Sequence, residues 1–277
     1  MKGALALILT FLTLHCSGLP ERTYAPPEEG KLLSAEDLGP LYKGYSDLLS
    51  AYVDQGNVDY AKMCKDPALE RVMAGFRNVD PSTIETREQG LAFWINAYNA
   101  FTLDLICLGY PVNSINDLHG AGGIYTSTAL GRTIWKIHKF PIGHKQYTLD
   151  EIEHEILRPK YNDYRIHAGI VCASVSCPLL RSEAFVPERI DEQLDDQLKE
   201  FLASDIRNRI DASSNTIYLS KIFKWFAKDF TGAEKPLLEV LWKYLPPDWH
   251  DQLGNLDNVR KNWKVEYLTY DWSLNGK

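Results

Sequence analysis

Residues 91–101 read Leu-Ala-Phe-Trp-Ile-Asn-Ala-Tyr-Asn-Ala-Phe. A helix built from them has no polar face, and a helix that is apolar nearly all round is a buried one. The spacing therefore predicts a helix over 87–108 enclosed by the rest of the chain. Its few polar members then matter. At about 100° per residue, Gln89, Asn96 and Asn99 fall within one stripe. An unpaired buried polar group costs about 1–3 kcal/mol, so these amides must be hydrogen-bonded. Either they tie neighbouring loops to the core, or they line a pocket and hold a substrate.

The other segments supply the jacket. Helical spacing recurs over 42–53, 69–76, 188–206, 222–230 and 236–245. Residues 148–158 read as a helix with a capping box, Thr148 followed three positions on by Glu151, and Pro159 ends it. Extended pieces are expected at 132–140 and 144–148, paired across Pro141-Ile142-Gly143, and at 216–219 and 263–270. Residues 165–172 read as a central strand, with Ile166, Ala168, Ile170 and Cys172 on one face and Arg165, His167, Gly169 and Val171 on the other. The mixture predicts an α+β fold: a small, largely antiparallel sheet surrounded by several helices, the 87–108 helix buried against it. No repeat or composition break divides 34–277, which reads as a single domain. The loop at 109–123 carries Gly120, Gly122 and Gly123 without phosphate-loop spacing; it is a plain loop or a flap over a site.

Residues 1–15 have the form of an export signal. Lys2 gives the positive start and 4–14 the apolar core, too short for the roughly 20 residues that span a bilayer. Cys16 follows, and 16–33 is a Pro- and Glu-rich tether. The pattern is that of a bacterial lipoprotein, with lipid on Cys16 as the membrane partner, although His15 stands where such signals place a small residue. The other reading is cleavage near Gly18 and release. Either way the chain is expected to be exported, with the lipidated form anchored in the bacterial cell envelope. A net charge of −7 with no basic run argues against nucleic acid as a partner.

Chemistry concentrates in 165–178, Arg-Ile-His-Ala-Gly-Ile-Val-Cys-Ala-Ser-Val-Ser-Cys-Pro. Cys177 precedes Pro178, a residue favoured at the first position of a helix, and 179–184 can form that helix. A cysteine there would feel the positive end of the dipole and lose its proton more readily. A thiol nucleophile also wants a base and a group that orients the base. His167 is the first candidate base and His154 the second. Glu153, which falls inside the apolar arc of Leu149, Ile152, Ile156 and Leu157, is the candidate orienter, with Asn96 or Asn99 as substitutes. A carboxylate in that arc needs a cation, for which Arg158 and Arg165 are the natural partners. Other readings of the cysteines stay open: a structural Cys172–Cys177 disulfide, two reduced structural thiols, or a redox-active pair whose spacing departs from Cys-x-x-Cys. A zinc site from these histidines, Glu153 and the cysteines lacks the usual ligand spacing. No metal or cofactor is expected. Gly-x-Ser-x-Gly is absent, and no carboxylate pair is singled out for glycoside chemistry.

Four motifs in order carry a resemblance: 92–100 (Ala-Phe-Trp-Ile-Asn-Ala-Tyr-Asn-Ala), 149–158 (Leu-Asp-Glu-Ile-Glu-His-Glu-Ile-Leu-Arg), Arg165-Ile166-His167 through Cys172-Ala-Ser-Val-Ser-Cys-Pro178, and 270–275 (Tyr-Asp-Trp-Ser-Leu-Asn). Across about 59–275 the chain resembles the family called domain of unknown function 547. The resemblance implies one domain of a kind found in bacterial exported proteins and lipoproteins, and in plant and animal proteins. It marks Asn96, Asn99, Glu153, His154, Arg158, Arg165, His167, Cys172 and Cys177 as pattern positions and assigns none of them a role.

Taken together, the residues predict a thiol-dependent hydrolase or acyltransferase acting on amide or ester bonds. Cys177 would be the nucleophile, His167 or His154 the base and Glu153 the orienter. Asn96, Asn99, Arg165 and Cys172 would contact a small-molecule or peptide substrate. The competing class is a non-catalytic envelope lipoprotein that binds a ligand or partner, its loop stapled by Cys172–Cys177.

Overall fold

In the computed structural model, which describes residues 24, 32–119, 129, 133–231 and 236–277, Thr86 opens the central helix Arg87–Gly109. Its hydroxyl accepts from the Gln89 N–H, and the Gln89 side chain accepts from the Thr86 N–H. Gln89 is therefore used at the helix start and does not join Asn96 and Asn99. Every residue from Gly90 to Ile106 is buried. The helix is long and apolar enough to cross a membrane, yet here it lies inside the protein. Pro67–Arg77, Ile190–Leu202 and Ile152–Tyr161 pack on it, and Gly39–Tyr52 covers Pro67–Arg77. Gly90 permits one of these contacts, because a side-chain carbon there would collide with the Tyr161 phenol. The disulfide Cys64–Cys107 ties the end of the short helix Tyr60–Met63 to the last turn of the central helix; 43 residues separate the two cysteines and nothing local marks them as partners.

The architecture is α+β with small, mostly antiparallel sheets. Val53–Asp54 pairs with Asn57–Val58, and Phe140–Ile142 with Lys145–Tyr147 in the register Phe140↔Tyr147. The 144–148 hairpin is thus present, but Pro141 and Ile142 lie in its first strand, and 134–137 is a helical turn instead of an extended piece. The third sheet joins Arg209–Asp211, Thr216–Leu219 and Lys264–Tyr267, its second pairing parallel.

Three local expectations are corrected. The capping box at Thr148 and Glu151 forms, but the helix runs on as a π-helix, Ile152–Tyr161, that carries Pro159 within it and ends at Asn162 in a left-handed conformation. Residues 165–172 do not make a strand. Ile166–Gly169 is a helical turn, and the extended backbone after it pairs with a side chain: Asn99 Nδ2 donates to the Gly169 carbonyl and the Val171 N–H donates to Asn99 Oδ1, both at 2.9 Å. One asparagine supplies what a neighbouring strand would. Finally, no helix follows Cys177. The backbone of 177–185 is instead bonded by side chains from elsewhere: Arg207 donates to the Cys177 carbonyl, Gln197 to that of Leu179 and Gln193 to that of Ala184. Ser46 and Asn96 accept from the N–H groups of Ala184 and Phe185.

Two hydrophobic clusters result, one around the central helix and one built from 168 and 198–270, and Cys172 and Trp272 pack against both. The 1–15 signal, Cys16, most of the 16–33 tether, and Gly120, Gly122 and Gly123 lie outside the described residues.

Candidate active site

At that seam is a cleft of about 240 Å³. Cys172, Cys177, His167, His154 and Glu153 all line it, so five of the residues singled out from sequence do converge. Trp135, Trp225, Phe226, Tyr270 and Trp272 form aromatic walls. Trp272 stands between Trp135 and Trp225, with ring centroids 6.1 and 6.0 Å away, and Tyr270 lies 4.5 Å from Trp272. Trp225 remains 48% exposed at the mouth.

The cysteine loop is a tight return. Ala173 takes φ = 60°, a left-handed conformation uncommon for a residue with a side chain. It is held there by Asn275, whose N–H donates to the Ala173 carbonyl, and by the Val175 N–H bonding to the Ser273 carbonyl. A turn closed by Cys177 N–H and the Ser174 carbonyl then brings Cys177 back onto Cys172. The two sulfurs stand 2.8 Å apart as free thiols, and the Cys172 N–H donates to Cys177 Sγ at 2.9 Å. Ser174 Oγ and Tyr270 Oη each lie 3.2 Å from Cys172 Sγ.

This inverts the expected roles of the cysteines. Cys177 is not at a helix start, so no dipole acts on it. Burial pushes its thiol well above the usual range, and the Cys172 sulfur adds to the effect. Cys172 moves the other way, down to about 7, because hydrogen bonds with the Cys177 thiol and with the Ser174 and Tyr270 hydroxyls outweigh its own burial. Cys172 is also the more accessible of the two.

His167 is buried, stacked on Phe226 with ring centroids 3.9 Å apart. Its Nε2 lies 2.7 Å from Asp229 Oδ2, and its Nδ1 is 3.9 Å from Glu153 Oε1. Burial lowers the His167 pKa more than the Asp229 carboxylate raises it, so the ring is neutral. A carboxylate only accepts, which assigns the ring proton to Nε2 and leaves the Nδ1 lone pair facing Glu153. Asp229 would be raised by burial alone, but hydrogen bonds from His167 and Arg158 hold it well below the usual carboxylate range. Arg158 reaches it at 2.5 Å through Nε and 2.9 Å through Nη2.

Glu153 does not have the arginine partner its position demanded. Arg158 is committed to Asp229, and Arg165 lies elsewhere, bonded to Asp163, Asp191 and Asp195 in a network that joins its turn to helix Ile190–Leu202. Burial therefore dominates at Glu153, and the carboxyl is raised to about 8 despite the nearby Arg158 charge. His154 sits at the cleft rim, half-buried, with Nδ1 2.7 Å from Arg158 Nη1 and Nε2 3.6 Å from Asp150. Asn96 and Asn99 do not line the cleft. Both amides are spent on backbone, Asn96 with Phe185 and Asn99 with Gly169 and Val171.

Asp229, Ser174, Tyr270 and the tryptophans were not singled out from sequence. The 270–275 motif and the aromatic density of 222–230 were visible signals for some of them; Asp229 had none.

Residues 81–202 match the model of the family described as protein of unknown function, DUF547. No curated protein and no solved structure matches the chain. The matched segment holds Cys172, Cys177, His167 and Glu153, whereas Asp229 and four of the five aromatic wall residues, Tyr270 among them, lie beyond it. That segment, which holds three of the four motifs named above, is what the chain has in common with the DUF547 family.

Proposed function

We propose that the cleft is the site of a thiol-dependent hydrolase or acyltransferase acting on amide or ester bonds, with Cys172, not Cys177, as the nucleophile. The observation that carries this reading is the set of three hydrogen-bonding groups around Cys172 Sγ, inside a cleft that also holds a buried, protonated carboxyl. The Cys172 thiolate adds to the acyl carbon. The leaving amine or alkoxide takes the Glu153 proton, and a thioester remains on Cys172. Glu153, now a carboxylate, removes a proton from water or from an acceptor nucleophile, which attacks the thioester; the C–S bond breaks and the Cys172 thiolate is restored. His167 acts as a positioning residue: with its proton kept on Nε2 by Asp229, its Nδ1 lone pair supports the protonated form of Glu153. The aromatic walls suit a substrate with a ring or an apolar acyl group beside the scissile bond.

The same reading keeps the chain outside the cytoplasm, anchored through lipid on Cys16. The Cys64–Cys107 disulfide supports an oxidising compartment.

The test is incubation with a panel of aryl and alkyl esters and amides, followed by mass spectrometry of the tryptic fragment 166–181, which contains both cysteines. An acyl group on Cys172, absent in Cys172→Ala, is the expected result. Ligand binding in the cleft without acylation or turnover for any member of the panel would favour the non-catalytic envelope protein instead.

A further inference from the structure

The two thiols in the cleft have a geometry that acyl chemistry does not require. Nucleophilic attack on a carbonyl needs one sulfur; here a second is held at 2.8 Å from the first, and the backbone N–H of Cys172 points at it. Cys177 lines the cleft but is buried, while Cys172 is the more accessible of the two. Among the described residues there are one disulfide, Cys64–Cys107, and one dithiol.

We infer that Cys172 and Cys177 form a working dithiol–disulfide couple, in which Cys172 attacks an incoming disulfide and Cys177 resolves the mixed product. In the first step the Cys172 thiolate forms a bond to one sulfur of R–S–S–R, whose S–S bond breaks, and R–S⁻ leaves and takes a proton. In the second, Cys177 loses its proton to solvent and attacks Cys172 Sγ. The mixed disulfide breaks, the second R–S⁻ leaves and is protonated, and a Cys172–Cys177 disulfide remains. The dithiol has given up two electrons, and the substrate disulfide has become two thiols. An external thiol reductant reverses both steps.

The surroundings favour each step in turn. Cys172 is the sulfur with donors around it and access to the cleft, the features of an attacking thiol. Cys177 is held back by burial first and by the Cys172 charge second. Capture of a substrate removes that charge. Arg207, buried, donates from Nε to the Cys177 carbonyl at 2.5 Å and places a cation beside the resolving residue. The left-handed turn at Ala173 and the bonds from Ser273 and Asn275 keep the loop closed, so little movement is needed for the second bond to form.

The experiment treats the full reduced chain with 5,5′-dithiobis(2-nitrobenzoate) and reads the 166–181 fragment by mass spectrometry without reduction. Confining the reading to that fragment removes Cys16 from the count. The expected wild-type product is the internally bonded fragment with no retained thionitrobenzoate, restored to the dithiol by dithiothreitol. In Cys177→Ser the adduct should accumulate on Cys172, and in Cys172→Ser modification of the fragment should slow at least tenfold. A stable adduct on wild-type Cys172, first modification at Cys177, or an unreactive pair in folded wild-type protein would overturn the inference; the wild-type arm stands even if a variant fails to fold. Acylation by the ester panel is scored separately on reduced protein, so exchange and acyl transfer can fail independently.

Discussion

His167 turns Nδ1 toward Glu153 Oε1, 3.9 Å away, while Asp229 holds the opposite ring nitrogen at 2.7 Å. The histidine thus serves the acid of the cleft and is not bonded to either sulfur. Glu153 keeps its proton to about pH 8 in the folded protein, against an ordinary value of 4.5. The folded state then binds more protons than the unfolded one throughout that window, so its stability falls as pH rises from 4.5 to 8. Glu153→Gln removes this loss. The variant should be more stable than wild type at pH 8 by a few kcal/mol at most, and equal to it at pH 4, while losing ester turnover at pH 8. Thermal melts across that range check the sign.

Removing the Asp229 charge should act on stability and on the ring together. Asp229→Asn weakens two bonds from Arg158 and one from His167. All are partly screened by solvent, so the cost should be about 2 kcal/mol in urea unfolding. The nitrogen shifts of His167 should also report loss of the single Nε2–H tautomer, which a purely packing role would leave in place.

Alkylation by iodoacetamide should fall on Cys172, with a rate that rises through a midpoint near pH 7. Tyr270→Phe removes one donor to the sulfur. A hydrogen bond to a charged group contributes about 1.5–3 kcal/mol, so the midpoint should move up by roughly one pH unit. Rates measured on the 166–181 fragment decide both points.

Asn99→Ala should be among the most damaging single changes away from the cleft. It leaves the Gly169 carbonyl and the Val171 N–H unpaired in the interior. At about 1–3 kcal/mol for each orphaned group, a loss of roughly 3 kcal/mol is expected by chemical denaturation. Because 170–172 would then lose its anchor, alkylation of Cys172 should lose its selectivity over Cys177.

The legible part of the sequence was the part decided locally or by burial. The apolar run at 91–101 required an enclosed helix, and the box at Thr148 and Glu151 is complete within four residues. The Glu153 position in an apolar arc announced a buried carboxyl, and His167 and the cysteines did meet it. What failed depended on remote side chains. Alternation at 165–172 describes faces, not partners, and the partner proved to be Asn99, 70 residues from Gly169. Cys177-Pro178 looked like a helix start, but Ser46, Asn96, Gln193, Gln197 and Arg207 had already claimed the following backbone. The choice between the two sulfurs rested on Tyr270, about a hundred positions on. Cys64 and Cys107 carried no mark of each other.

The cleft draws on both sides of the matched segment, and this bears on how the domain can be handled. A fragment trimmed to 81–202 would keep both thiols but lose the phenol that tunes one of them, the aspartate that sets the imidazole and most of the tryptophan wall. Such a piece would present two ordinary cysteines on an unfinished surface. A silent assay on it would say nothing of the whole chain, and any screen of related sequences should carry them through the equivalent of Tyr270.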